Sequence, residues 1–312
     1  MEDYPRNLAE FEARFSSDAA CRAYLVRLRW PDGFRCPRCG GRKNWPVRGL
    51  LLQCARCGYQ SSVTAGTIFQ DRRLPLATWF RVIWYVTSQK NGTSALGLKR
   101  ALGFGSYQTA WAWLHKLRRA MVRPERDRLA GTVDVDETYV GGEKSGKRGR
   151  GASGKTLVVV AAQQDGSHIG RIRLAHVSNA SGECLLDAVQ RAVSPGSTIN
   201  TDAWQGYKGL DQLGYHHKII RPLGELGENL LPNCHLVASL LKRWLLGTHQ
   251  GAVRAKHLAY YLDEFTFRFN RRSSRSRGKL FYRMVQQSVQ VDPHPYLRII
   301  KSQSLGVVES NG

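Results

Sequence analysis

The residues of this 312-residue chain best suited to chemistry are two cysteine pairs, a cluster of carboxylates, a second isolated aspartate, and a histidine followed by a lysine. Cys36-Pro-Arg-Cys39 and Cys54-Ala-Arg-Cys57 are separated by fourteen residues. Each Cys-x-x-Cys turn can set two thiolates at bonding distance from one ion, so two turns complete a tetrahedral Zn2+ site. Disulfides are the competing reading of the same spacing, disfavoured in a reducing compartment. Cys21, Cys184 and Cys234 stand apart and read as buried thiols. A four-cysteine zinc ribbon staples a module too small to hold itself together. Here Arg35, Arg38, Arg42, Lys43, Arg48 and Arg56 also suit it to gripping nucleic acid.

The carboxylates lie in Gly131-Thr-Val-Asp-Val-Asp-Glu-Thr-Tyr-Val-Gly-Gly142. Alternation of Val133 and Val135, ended by glycines, predicts a buried strand. Successive side chains of a strand face opposite ways, so Asp134 and Asp136 share a face and Glu137 points away. Carboxylates inside a core strand are costly unless paired or bound to a cation; a strand ending in a polar turn is the plainer reading. Asp202 ends the β-prone run Ser197–Thr201 and stands either as a helix N-cap or as a strand-end carboxylate of the kind α/β sheets present for catalysis. His235 and Lys242 are two helical turns apart, on one face with Ser239 between them.

The elements that must position these groups follow from periodicity and punctuation. Residues 1–30 read as helical. Leu74-Pro75-Leu76 opens a helix with Trp79, Ile83, Trp84 and Val86 on its apolar face. Thr93–Leu102 and Tyr107–Met121, joined through Gly103-Phe-Gly-Ser106, have the pattern of a helix-turn-helix, with Trp111, Trp113, Lys116, Arg118 and Arg119 on the second helix. The charged run around Arg123-Pro124 reads as a linker. Thr156–Ala162 and Ile169–Val177 make a three-stranded meander with the carboxylate strand, and the Gly-rich basic stretch Glu143–Lys155 reads as a mobile hairpin tip between them. Ser181–Val193 is a Ser-capped helix. Leu231–Leu245 and His257–Asn270 are further helices, with Gly247–Gly251 as a loop between them. The expected domains are 1–70, 71–128, 129–290 and a tail, 291–312.

Composition narrows the partner. Lys+Arg total 47 against 24 acidic residues, a net charge of +23, which suits a polyanion such as DNA or RNA. From Phe265 to Val291 there is no acidic residue, while Arg268, Arg271, Arg272, Arg275, Arg277, Lys279 and Arg283 fall there. No apolar run approaches a membrane span and no secretory pattern opens the chain, so a cytoplasmic, nucleoid-associated protein is expected.

In order, the ribbon, the helical module, Val-Asp-Glu-Thr-Tyr-Val-Gly-Gly, Thr-Asp-Ala-Trp-x-Gly-Tyr and Leu-Lys-Arg-Trp-Leu-x-Gly-Thr-His-x-Gly resemble the zinc-ribbon-bearing, ISXO-like group of bacterial insertion-sequence DDE transposases. Tyr-Leu-Asp-Glu-Phe-x-Phe-Arg-Phe-Asn-Arg-Arg272 is similar to that group's C-terminal signature. The resemblance implies an α/β, RNase H-like mixed sheet. It also implies two Mg2+ (or Mn2+) ions held by Asp136, Asp202 and His235, with Lys242 contacting DNA. Terminal inverted repeats would be bound, cut and joined to target DNA by an oligomer of the chain. Most such enzymes carry Glu where His235 stands, with Glu225 and Glu228 as conceivable substitutes. Relatives often carry Asn three residues earlier, where this chain has Pro232. The competing classes are an inactive or repurposed sequence-specific DNA-binding protein and a structure-selective nuclease on the same fold.

Overall fold

The computed structural model of the chain describes residues 2–48, 50–123, 126–141, 155–222, 229–251 and 253–301. The expected hairpin tip (except Lys155), Pro124 of the expected linker, Glu225, Glu228 and the chain from 302 onward lie outside the described residues. Two units emerge, one formed by Met1–Glu125 with Ser273–Ile300 and the other built on Arg126–Arg272.

In the first unit, the helical stretch expected over residues 1–30 is two helices, α1 (Leu8–Arg14) and α2 (Asp18–Arg29). The break falls at Ser17, whose hydroxyl accepts the Ala20 N–H at 3.2 Å and so starts α2 afresh. The antiparallel ribbon β1 (Asn44–Val47), β2 (Leu51–Cys54) and β3 (Gln60–Ser62) follows. Three helices come next: α3 (Leu76–Ser88), α4 (Ala95–Leu102) and α5 (Tyr107–Ala120). The last two turn on Gly103, at φ 68°, where a side chain would be strained. Helix α5 is largely a core helix: Trp113 stacks on Trp79 at 3.8 Å, and Arg118 is 1% exposed. Its surface is its first turn, with Tyr107 and Gln108 exposed.

The second unit carries a five-stranded mixed sheet of order β6-β5-β4-β7-β8. Strands β4 (Thr132–Val140), β5 (Thr156–Asp165) and β6 (His168–Val177) form the expected antiparallel meander. Helix α6 (Gly182–Ala192) starts at the Ser181 cap and leads into β7 (Thr198–Thr201), which pairs parallel to β4. Strand β8 (His216–Ile219) adds a parallel edge that the sequence reading missed. Helices α7 (Pro232–His249) and α8 (Leu258–Phe269) pack on one face of the sheet against Val140, Val158, Val160 and Leu174. Helix α6 covers the other face, against Val133, Val135, Val159 and Ile199. The architecture is α/β and RNase H-like. Gly247 and Thr248, expected in a loop, continue α7, which ends only where Gln250 takes φ 51° and returns its N–H to the Leu245 carbonyl.

Helices α9 (Arg277–Ser288) and α10 (Tyr296–Lys301) close the described chain. Residues 273–290 were expected in the catalytic domain, yet they cluster with the N-terminal helices. The cause is aromatic: Phe281, fully buried, meets Phe11, Phe15, Phe80 and Trp84 at centroid distances of 5.4–5.7 Å. A Cβ at Gly278 would overlap the Pro5 carbonyl, so only glycine allows this approach. The basic run ending here is therefore not one solvated face. Arg268 pairs with the buried Glu264 at 2.8 Å, and Arg272 donates to the Ile169 and Gly170 carbonyls.

Candidate catalytic site and cysteine cluster

Each cysteine turn closes on a glycine in the left-handed region. Gly40, at φ 71°, donates to the Cys36 carbonyl at 2.9 Å, and Gly58, at φ 70°, to the Cys54 carbonyl at 3.0 Å. The turns aim four sulfurs at one point, all within 4.8 Å of one another. Cys36 lies 3.7 Å from Cys57 and Cys39 3.6 Å from Cys54, sulfur to sulfur, and no pair is bonded. Zn–S bonds of about 2.3 Å in a tetrahedron place sulfurs about 3.8 Å apart. N–H groups of Cys57 and Arg56 point at the Cys54 sulfur and help lower its thiol to about 7. The four-cysteine cluster is thus a structural zinc site in geometry and in donor chemistry.

On β4, Val133 and Val135 face α6, which turns Asp134 and Asp136 toward α7. The two carboxylates meet different fates. Asp134 is 3% exposed and accepts from three side-chain amides: Gln164 on β5 at 2.9 Å, Asn200 on β7 at 2.8 Å and Asn233 on α7 at 2.8 Å. Its oxygens are satisfied within the protein. Asp136, two residues on, has Oδ1 on the Glu137 N–H at 2.8 Å and Oδ2 3.2 Å from His235 Nε2. Burial pushes its pKa to about 6, and the neighbouring Glu137 and Asp202 carboxylates push the same way.

Asp202 sits just past β7, its Oδ1 accepting the Trp204 N–H at 3.0 Å. That is a local turn bond; the short 3₁₀ turn beginning at Gln205 has no side-chain cap, so the N-cap reading does not hold. Lys242 lies two turns beyond His235 on α7. Burial and the nearby Lys155 lower its pKa, and Asp136 opposes them. The structure therefore joins Asp136 to His235 directly and brings Asp202 and Lys242 into its electrostatic reach. Among the described residues, only the four cysteines gather three or more such ligand atoms within 4.8 Å. Glu137 does face away, and its Oε2 accepts the hydroxyl of the buried Tyr207 at 2.9 Å.

Sequence reasoning missed the amide set around Asp134. Asn233, one residue after Pro232, was the available signal. Pro232 occupies the first turn of α7, where its missing N–H has no helical partner to lose. Asn233 then supplies the polar side chain ahead of His235.

Residues 128–270 match the ISXO2-like transposase domain family and residues 16–60 the transposase zinc-ribbon domain family. The chain belongs to the zinc-ribbon-bearing ISXO2-like transposases. A chain of the simian T-cell lymphotropic virus intasome, solved in complex with PP2A regulatory subunit B56 gamma, is 16% identical to this transposase with a TM-score of 0.30. The match covers 53% of the transposase and 63% of that chain, less than two thirds of its length. No curated protein matches the transposase. No helix among the described residues is long and apolar enough to cross a membrane.

The transposase purifies with about one zinc per chain. Cys54→Ser abolishes the metal and leaves the ribbon open to proteolysis, as elemental analysis and limited digestion would show; full zinc content in that variant would contradict the cluster. The two β4 aspartates differ in opposite directions. Asp134→Asn keeps one acceptor oxygen but turns an amide NH2 toward the donor on the other side, Asn233 if the oxygen stays with Gln164 and Asn200, and lowers stability by about 1–3 kcal/mol, read from urea midpoints. Asp136 has a folded pKa above its unfolded value, so its contribution is present below about pH 4 and lost as pH rises through about 6. In metal-free buffer Asp136→Asn therefore matches or exceeds wild-type stability at pH 7.5 and loses that advantage at pH 4.

Proposed function

We propose that this transposase binds the terminal inverted repeats of its insertion sequence, cuts DNA there and joins the ends to target DNA, with divalent cations held by Asp136, Asp202 and His235. The observation that carries the reading is the contrast on β4. Asp134 is fully hydrogen-bonded, whereas Asp136 is a half-buried carboxylate crowded by two others, a state that a cation would relieve. The donor set fits: two carboxylates suit Mg2+ or Mn2+, and the His235 imidazole shifts the preference toward the softer ion. Two divalent ions, when bound, act as Lewis acids on the scissile phosphate and make a nucleophile from water or a DNA 3′-hydroxyl.

The chain's own residues supply the rest. Lys242, within electrostatic reach of Asp136 and of Lys155, would take a phosphate flanking the cut, with Lys155 adding positive charge nearby. The exposed Arg35, Arg38, Arg42, Lys43, Arg48 and Arg56 on the ribbon add a basic surface for the duplex. The exposed first turn of α5 is the part of a second helix that reads base edges in helix-turn-helix proteins. Assembly of several copies on paired ends belongs to the same proposal.

The test is cleavage of a labelled duplex carrying the element's own ends, in Mg2+ or Mn2+. Asp136→Ala and Asp202→Ala each reduce cleavage by about 10³-fold or more while retaining end binding. The Mg2+ concentration for half-maximal cleavage rises as pH falls below about 6, because a protonated Asp136 cannot ligate. Tight end binding by the wild type without cutting in either metal would favour the non-enzymatic DNA-binding protein. Cutting indifferent to end sequence would favour a structure-selective nuclease.

A further inference from the structure

A cavity of about 530 Å³ opens at the C-terminal end of β4. Tyr139 and Trp204 supply aromatic surface, Leu157 and Val177 apolar wall, and Lys155 and His176 polar groups. This volume lies within the range of pockets that take small molecules. The lining is tied to the catalytic carboxylates through the chain. Tyr139 follows Asp136 by three residues on β4, about 10 Å along the strand and on the opposite face. Trp204 follows Asp202 by two, and its backbone N–H is held by that carboxylate. The Trp204 indole is fixed as well, its Nε1 donating to the Ala180 carbonyl at 3.2 Å.

Lys155 links the cavity to the site. It lines the cavity and lies within electrostatic reach of Lys242, whose pKa is lowered by burial first and by Lys155 second. Lys242 is thus within electrostatic reach of both Asp136 and Lys155, and Lys155 lines the cavity with two aromatic rings, so a DNA strand with one phosphate at Asp136 and Asp202 has cations on the side of the cavity. Cation, ring surface and apolar wall are what an unstacked nucleotide requires. Burial keeps the His176 imidazole below its usual pKa, so at neutral pH it offers an uncharged ring to a base edge.

We propose that this cavity is a nucleotide pocket: it receives one unstacked base of the DNA strand, within a few nucleotides of the scissile phosphate, against Trp204 and Tyr139. The proposal rests on the reading of Asp136 and Asp202 as the DNA-cutting centre. It assigns that centre a strand with one base drawn out of the stack, which fixes the register of the cut.

The experiment uses the full chain and a duplex carrying the element's ends, with 5-iododeoxyuridine placed singly at the nucleotides around the cut. After irradiation, the cross-linked residue is identified by mass spectrometry. One position is expected to cross-link to Trp204 or Tyr139. The same position is then made abasic and combined with Trp204→Ala in a cycle of binding measurements. Trp204→Ala weakens binding of the intact end by about 5- to 100-fold and leaves binding of the abasic end nearly unchanged. Ends that bind normally but cross-link only elsewhere, or losses that simply multiply in the cycle, would overturn the pocket and leave the cutting centre standing. Failure of the wild type to bind the ends at all would remove both.

Discussion

The catalytic unit depends on one buried carboxylate held by three amides. Asp134 draws Gln164 of β5, Asn200 of β7 and Asn233 of α7 to a single point inside the fold. Such bonds to a charged group are individually strong, and each leaves a costly orphan if its partner is lost. The consequence is positional. Asn200 stands two residues before Asp202 and Asn233 two before His235, so the Asp134 hub fixes the two distant segments that flank Asp136. On the other face, the Glu137–Tyr207 bond ties β4 to the turn that follows Asp202. Neighbours on one strand thus divide the labour: Asp134 and Glu137 hold the frame, and Asp136, with one backbone N–H and His235 beside it, is left among like charges.

That division explains why the pKa of Asp136 stands near 6 while the chain remains foldable. A carboxylate of this kind is destabilising in isolation, and it persists because the frame around it is over-determined. The zinc ribbon solves a different problem by similar means. Its hairpin is too small to bury a core, so four sulfurs aimed by left-handed glycines replace one.

Much of this was legible in the sequence, for identifiable reasons. The Cys-x-x-Cys pairs, the Asp-x-Asp strand, the meander and the Ser181 cap are local signals, set by spacing or by one side chain bonding its near neighbours. The motif order was distinctive enough to show the family. What could not be read were choices made by distant contacts. Asp134 and Asp136 look equivalent on one strand face; only Gln164, Asn200 and Asn233, remote in sequence, separate them. Phe281 carries no local mark that its partners are Phe11, Phe15 and Phe80, so the placement of α9 with the N-terminal helices was invisible. Nothing in the sequence marks that Arg118 of α5 is buried or that Arg268, in the basic run after Phe265, is turned onto the buried Glu264.

The central claim is that Asp136, not Asp134, is the carboxylate left for a cation, with His235 beside it. Mn2+ binding followed by electron paramagnetic resonance tests this most directly, since an imidazole ligand adds nitrogen hyperfine structure to the bound ion's signal. The account predicts that the wild type binds Mn2+ with nitrogen coupling, that His235→Ala removes the coupling, and that Asp136→Ala removes the binding. Mn2+ bound with undiminished affinity by Asp136→Ala would contradict it.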